Sequence, residues 1–249
     1  MIFVRLSRRD PDRNLDAVPW PVWALLLASL SLYVAMRAMA PAPLAHAAAL
    51  PHPADPERVR AASLGEPIAA AQLLTLYLQA FDNQPGISIP YRDLDYNRVT
   101  AWLQTILSLD AATQYPLLMA AHLYAQVPDE SKQRQMLDWV HRKFTEDPQR
   151  RWRWLAHATL MAKHRLGDKA LALRYARDIA RLAPGAPSWA RQMQVFILED
   201  MGEIESASIL LGGLLTTGEI REPSEIRFLT QRLEQMKKAA ENSASVTKY

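Results

Sequence analysis

The feature that most constrains the fold of this 249-residue chain is its likeness to itself at a shift of 35 residues. Trp154 falls on Trp189, Leu160 on Val195, Met161 on Phe196 and Ala162 on Ile197. Leu166-Gly167 falls on Met201-Gly202, and Ala172 falls on Ala207. In both copies 13 residues separate Trp from Gly and 5 separate Gly from Ala. A period of this length marks a small supersecondary unit that is stacked on copies of itself. The glycine suits a tight turn between antiparallel helices, where a positive φ costs it least. The alanine suits a point where those helices approach too closely for a larger side chain.

The periodicity around these units is helical. Val99, Trp102, Leu103, Ile106 and Leu107 follow the i, i+3, i+4, i+7, i+8 spacing of one helix face. Met136, Leu137, Val140 and Phe144 repeat it, as do Ile226, Leu229, Leu233 and Met236. Asp147-Pro148, Ala183-Pro184-Gly185 and Thr217-Gly218 read as helix stops. Alternation of period two is confined to Gly86-Ile87-Ser88-Ile89-Pro90. The expected fold is all-α, with helices of about 12–17 residues paired by short turns.

Gly167, Ala172 and Pro184 resemble the tetratricopeptide repeat family, in which a turn glycine is followed by a small residue and then by a closing proline. The resemblance is strongest over about 152–217, with the clearest units at about 152–184 and 187–218. Pro148 suggests an earlier unit over about 110–148, and a helix pair over about 67–109 would precede it. Ala156, Leu160 and Lys163 stand where the family has Trp, Gly and Tyr, and the second clear unit has no closing proline. The resemblance implies an array of α-α hairpins over 57–240, curved into an α-solenoid with a concave groove. A helix from Pro223 to about Lys237 would cap it, ahead of a disordered tail at 241–249.

Ahead of the repeats lies an uncharged stretch, Ala17 to Met36, preceded by Arg5, Arg8, Arg9 and Arg13. About 20 apolar residues suffice for a helix to cross a bilayer. The sequence therefore predicts a basic cytoplasmic leader at 1–16, a transmembrane anchor at 17–37 and an Ala/Pro-rich spacer at 38–56. Trp20, Trp23 and Arg37 are the expected membrane-interface residues. The arginines ahead of the span put the N-terminus in the cytoplasm and the domain outside it, which for a bacterial inner membrane is the periplasm. The competing reading is a signal peptide cut after Ala47, because Ala45-His46-Ala47 fits the small-residue pattern of a cleavage site. Either reading exports the domain.

In the repeat family the first helix of each pair lines the groove. Following the helical stripe from each repeated tryptophan gives Trp154, His157, Met161, His164 and Arg165, then Trp189, Gln192, Phe196 and Glu199, as candidate contacts for a partner polypeptide. The alternative for the two tryptophans is packing between hairpins. The run Arg150, Arg151 and Arg153 reads either as an anion-binding patch or as a solvated helix start offset by Glu146 and Asp147. His157 and His164 are too far apart along a helix to hold one ion, and neither a metal site nor a cofactor site is expected. The chain has no cysteine, which excludes disulfides and thiolate chemistry. A formal net charge of +3 argues against nucleic acid as the main partner. Neither a nucleophile elbow nor a phosphate-cradling loop is present, and no small-molecule substrate is evident. The expectation is a non-enzymatic membrane-anchored adaptor that binds another polypeptide. The alternatives are a permanent subunit of a membrane complex and, less favoured, a periplasmic enzyme.

Overall fold

The structure is a computed structural model that describes residues 18–39, 47–216, 220 and 222–246. The chain divides into two units, Met1–His46 and Ala47–Tyr249. The described part of the first is helix α1, Trp20–Met39. Its 20 residues are long and apolar enough to cross a membrane, and none of them is buried. The helix begins three residues later than the expected anchor because Pro19 and Pro21 occupy its start. Proline is tolerated there, where backbone N–H groups have no helical partner; the first turn closes through Val22 N donating to the Pro19 carbonyl. The basic leader at 1–16 lies outside the described residues.

Among its described residues the second unit is all-α apart from one minimal hairpin. Its helices are α2 (Pro56–Ala62), α3 (Pro67–Ala80), α4 (Tyr96–Leu109), α5 (Tyr115–Leu118), α6 (Glu130–Glu146), α7 (Pro148–His164), α8 (Lys169–Leu182), α9 (Ser188–Asp200), α10 (Ile204–Thr216) and α11 (Pro223–Val246). Helix α5 runs on through a π-helical turn, Met119–Leu123, and a 3-10 turn, Tyr124–Gln126. The hairpin pairs β1 (Asn83–Gln84) with β2 (Ile87–Ser88) around Gly86 at φ +78°, at the one place where the sequence alternates. Asp55, Asp95, Asp129 and Asp168 each cap the helix that follows by accepting backbone N–H bonds. Gly167 (φ +64°) and Gly202 (φ +83°) end α7 and α9 in the left-handed backbone that glycine alone adopts freely.

Short turns make consecutive helices fold back on one another, so that every second helix runs parallel. Side-chain pairs record this. Gln79 bonds Tyr115, 36 residues on, and His122 meets His157, 35 on. Trp152 packs on Trp189 while Lys163 pairs with Asp200, which aligns α7 with α9 at both ends. Gln192 donates to Glu225 and Arg232 to Glu199, aligning α9 with α11. The helices α3, α5, α7, α9 and α11 thus follow one another on one side. On the other, Gln135 reaches Asn97 from α6 to α4, and Asp138 and His141 bond Tyr175 and Asp178 from α6 to α8.

The core lies between these two sets of helices. Leu103, Ile106, Leu137, Val140, Phe144, Leu155, Tyr175, Ile179 and Val195 are fully buried in it, or nearly so. Burying each such side chain contributes roughly 1.5–3 kcal/mol. Ala158, Ala162, Ala172, Ala176, Ala190 and Ala207 are sealed where helices cross.

Two expectations are corrected. The stretch 47–53 is part of the domain rather than a free spacer. Leu50 is buried, Arg98 Nη1 donates to its carbonyl at 2.5 Å, and Trp102 Nε1 donates to the Pro51 carbonyl at 2.8 Å. Gln84 exchanges two hydrogen bonds with the Ala48 backbone. An extended chain leaves its amides unpaired, and these side chains satisfy them. Residues 40–46 of the expected spacer lie outside the described residues. Of the disordered tail expected at 241–249, residues 241–246 are instead helical, because α11 continues to Val246, and residues 247–249 lie outside the described residues. Alanines and Glu241 sustain a helix after the apolar repeat has stopped.

Candidate binding face

The nine residues expected to line a groove divide into two groups. Trp154 is half-buried and its Nε1 donates to Gln114 Oε1 at 2.7 Å. Met161 is buried, and buried Gln192 donates to Glu225 Oε1 at 2.8 Å. Glu199 is ion-paired with Arg232. These four hold neighbouring helices together, so packing is the role of Trp154. His164 and Arg165 are exposed, His157 and Phe196 are half-buried, and Trp189 keeps 53% of its surface in water.

The open face of α7 is rotated from the predicted stripe. Arg153, His157, Leu160 and His164 form it, at spacings of four, three and four residues. On α9 the corresponding stripe is Trp189, Met193, Phe196 and Asp200. Trp152 links the two helices, edge-on to Trp189 with ring centroids 5.6 Å apart at 72°. The Arg153 guanidinium lies 5.7 Å from the Trp152 ring centre, within cation–π range. Trp152, Leu160 and Met193 were thus missed from sequence, while Arg153 was singled out only within the basic run. The signal was available: Trp152 repeats on Trp189 at a shift of 37 residues, close to the 35-residue repeat.

Local charge pairing decides what this face offers. The basic run splits by role. Arg150 pairs with Asp147 at 2.9 Å. Arg151 is buried and donates to the Lys143 carbonyl, the Ala111 carbonyl and Glu146. Burial pushes the Glu146 carboxyl up, but Lys143 and Arg151 more than offset this and leave it below its ordinary range. Among the described residues Arg153 and Arg165 have no carboxylate partner, so the face is cationic. Asp200 at its far end is engaged by Lys163 and Lys169, and hydrogen bonding, first to Lys169, holds its carboxyl low.

His122, His157 and His141 serve the framework. His157 Nε2 lies 3.4 Å from His122 Nδ1, and Gln126 Nε2 approaches that same nitrogen at 3.4 Å. Burial and then the neighbouring His122 lower the pKa of His157. His141 Nε2 bonds Asp178 Oδ2 at 2.8 Å across α6 and α8. Among the described residues no group of three or more His, Asp or Glu side chains could hold a metal ion. In the first unit, Trp20 and Trp23 are exposed in the opening turns of α1, and Arg37 stands in its last turn.

The open face thus combines aromatic, aliphatic and cationic side chains. No protein family model, no curated protein and no solved structure matches the chain.

Proposed function

We propose that the chain is a membrane-anchored, non-catalytic adaptor whose tetratricopeptide-like array holds a partner polypeptide at the periplasmic face of a bacterial inner membrane. The observation that carries this is the open α7–α9 face, where Trp152 and Trp189 meet edge to face beside Arg153, which has no carboxylate partner among the described residues. Rigid aromatics flanked by an uncompensated guanidinium are the residue types that dominate binding energy at protein interfaces. The cationic balance favours a partner segment that carries acidic residues beside an apolar anchor. Helix α1, by its length and composition, supports attachment to a bilayer. The arginines ahead of it support an N-terminus in the cytoplasm.

The test is capture from membranes by photo-crosslinking from position 160, exposed on the same face, with Trp189→Ala and Arg153→Ala as comparators. Loss of the crosslinked partner without loss of thermal stability supports the reading; an unchanged crosslink pattern in both variants overturns it. Extraction in mild detergent as a stable monomer separates an adaptor from a permanent subunit. A reporter fused after Tyr249 tests orientation, and a signal from the cytoplasm would overturn the exported placement.

A further inference from the structure

Helix α3 exposes a face that does not suit water. From Pro67 to Phe81 the chain carries no charged residue. Ile68, Leu73, Leu76 and Tyr77 are 54%, 66%, 61% and 45% exposed. Together with exposed Ala69 and Ala80 they span about half the helix circumference, and Gln72 is the one polar side chain among them. Directly before the helix, Leu64 is 93% exposed and held at φ +53°, a left-handed backbone that a bulky side chain adopts only at a cost. A strained apolar loop tip and an apolar helix face follow each other in sequence, with Glu66 the only charge between them.

The end helices of a stacked array ordinarily turn a polar face outward. Here four large apolar side chains of α3 and the preceding Leu64 stand open together, a contiguous apolar patch of the kind that marks an interaction surface. A stable protein interface buries about 800 Å² per partner and has a polar rim. Helix α3 carries no charged side chain to form such a rim, and Asp110 is the one charged residue lining the cleft beside Gln72 and Leu76. Its place in the chain indicates the occupant. Trp102 donates to the Pro51 carbonyl at 2.8 Å, and the same ring stacks on Tyr77 with centroids 5.0 Å apart. The edge of the apolar face therefore lies beside the point where the N-terminal strap is pinned. Seven residues, Ala40–His46, separate that strap from the end of α1. Their contour is at most about 28 Å.

From this we infer that the α3 face, with Leu64, is a lipid-docking surface that lies in the interfacial layer of the bilayer entered by α1. The inference rests on reading α1 as a membrane span. A face without charges suits this layer, and Tyr77 at its edge has the apolar body and polar tip favoured there.

The absence of cysteine permits a direct test on the full chain in phosphatidylcholine liposomes. Leu76→Cys, Ser29→Cys and Arg181→Cys are each labelled with a bimane fluorophore and quenched either by nitroxide-bearing lipids or by aqueous iodide. The expected result is lipid quenching at 76 at least about threefold stronger than at 181, with a charged Leu73→Glu change restoring iodide access. Iodide quenching at 76 equal to that at 181 overturns the inference. So does a probe at 76 shielded from both quenchers, which assigns the face to a second copy or to another protein. If the probe at 29 also escapes the lipid quencher, the span reading itself has failed; if 29 is quenched and 76 is not, only the docking has failed.

Discussion

The two repeated tryptophans do different work, although they occupy equivalent places in the sequence. Trp154 is half-buried with its indole N–H bonded to Gln114, so Trp154→Ala leaves a cavity and an orphaned amide and is expected to cost about 3 kcal/mol in urea unfolding. Trp189 is largely in water, and Trp189→Ala is expected to cost less than about 1 kcal/mol while weakening partner capture. Sequence periodicity put both on the candidate groove stripe and left packing between hairpins open for both, because it locates a stripe only to within one position on the wheel. Trp152 was missed for the same reason. His157 supplies a second prediction. Burial and His122 hold its folded pKa below the unfolded value of about 6.5. The unfolded chain therefore takes up this proton first, and stability falls as pH drops below about 6.5, levelling off once the folded pKa is passed. Thermal melts from pH 7.5 to 5 should show this slope, and His157→Gln should flatten it.

At the scale of the element, the helix junctions combine capping with pairing between hairpins. Asp168 accepts the Leu171 N–H at 2.8 Å and pairs with Arg134 of α6 at 2.7 Å. The backbone bond, followed by Arg134, holds its carboxyl low. Asp168→Ala should lower stability by about 1–2 kcal/mol, and Asp168→Asn should retain most of it by preserving the cap. Chemical denaturation of the two variants side by side checks the order. Gly167 and Gly202 were legible as turn residues from spacing alone, because a fixed offset from Trp to Gly reports a fixed helix length. The π-helical turn at Met119–Leu123 was not legible. Its Met-Ala-Ala-His-Leu sequence has no breaker, and the widened turn itself packs against α6 and α7.

For the molecule as a whole, the N-terminal strap makes a prediction about boundaries. Removing residues 1–46 should leave the melting behaviour of the domain unchanged. Removing residues 1–53 strips buried Leu50 and leaves the Trp102 indole N–H without its acceptor, with an expected loss of about 3 kcal/mol. Equal stability of the two truncations would show that the strap contributes nothing. The all-α class, the apolar helix near the N-terminus and the glycine turns were legible in the chain, because each is written in local spacing, and spacing along a helix is fixed by its 3.6-residue pitch. That Trp154 packs while Trp152 and Trp189 are more open, that Leu50 and Pro51 dock on α4, and that α3 turns an apolar face to solvent came from how the helices pack. Those outcomes depend on which helix covers which side chain, and a repeat period does not encode how far each helix is rotated against its neighbour.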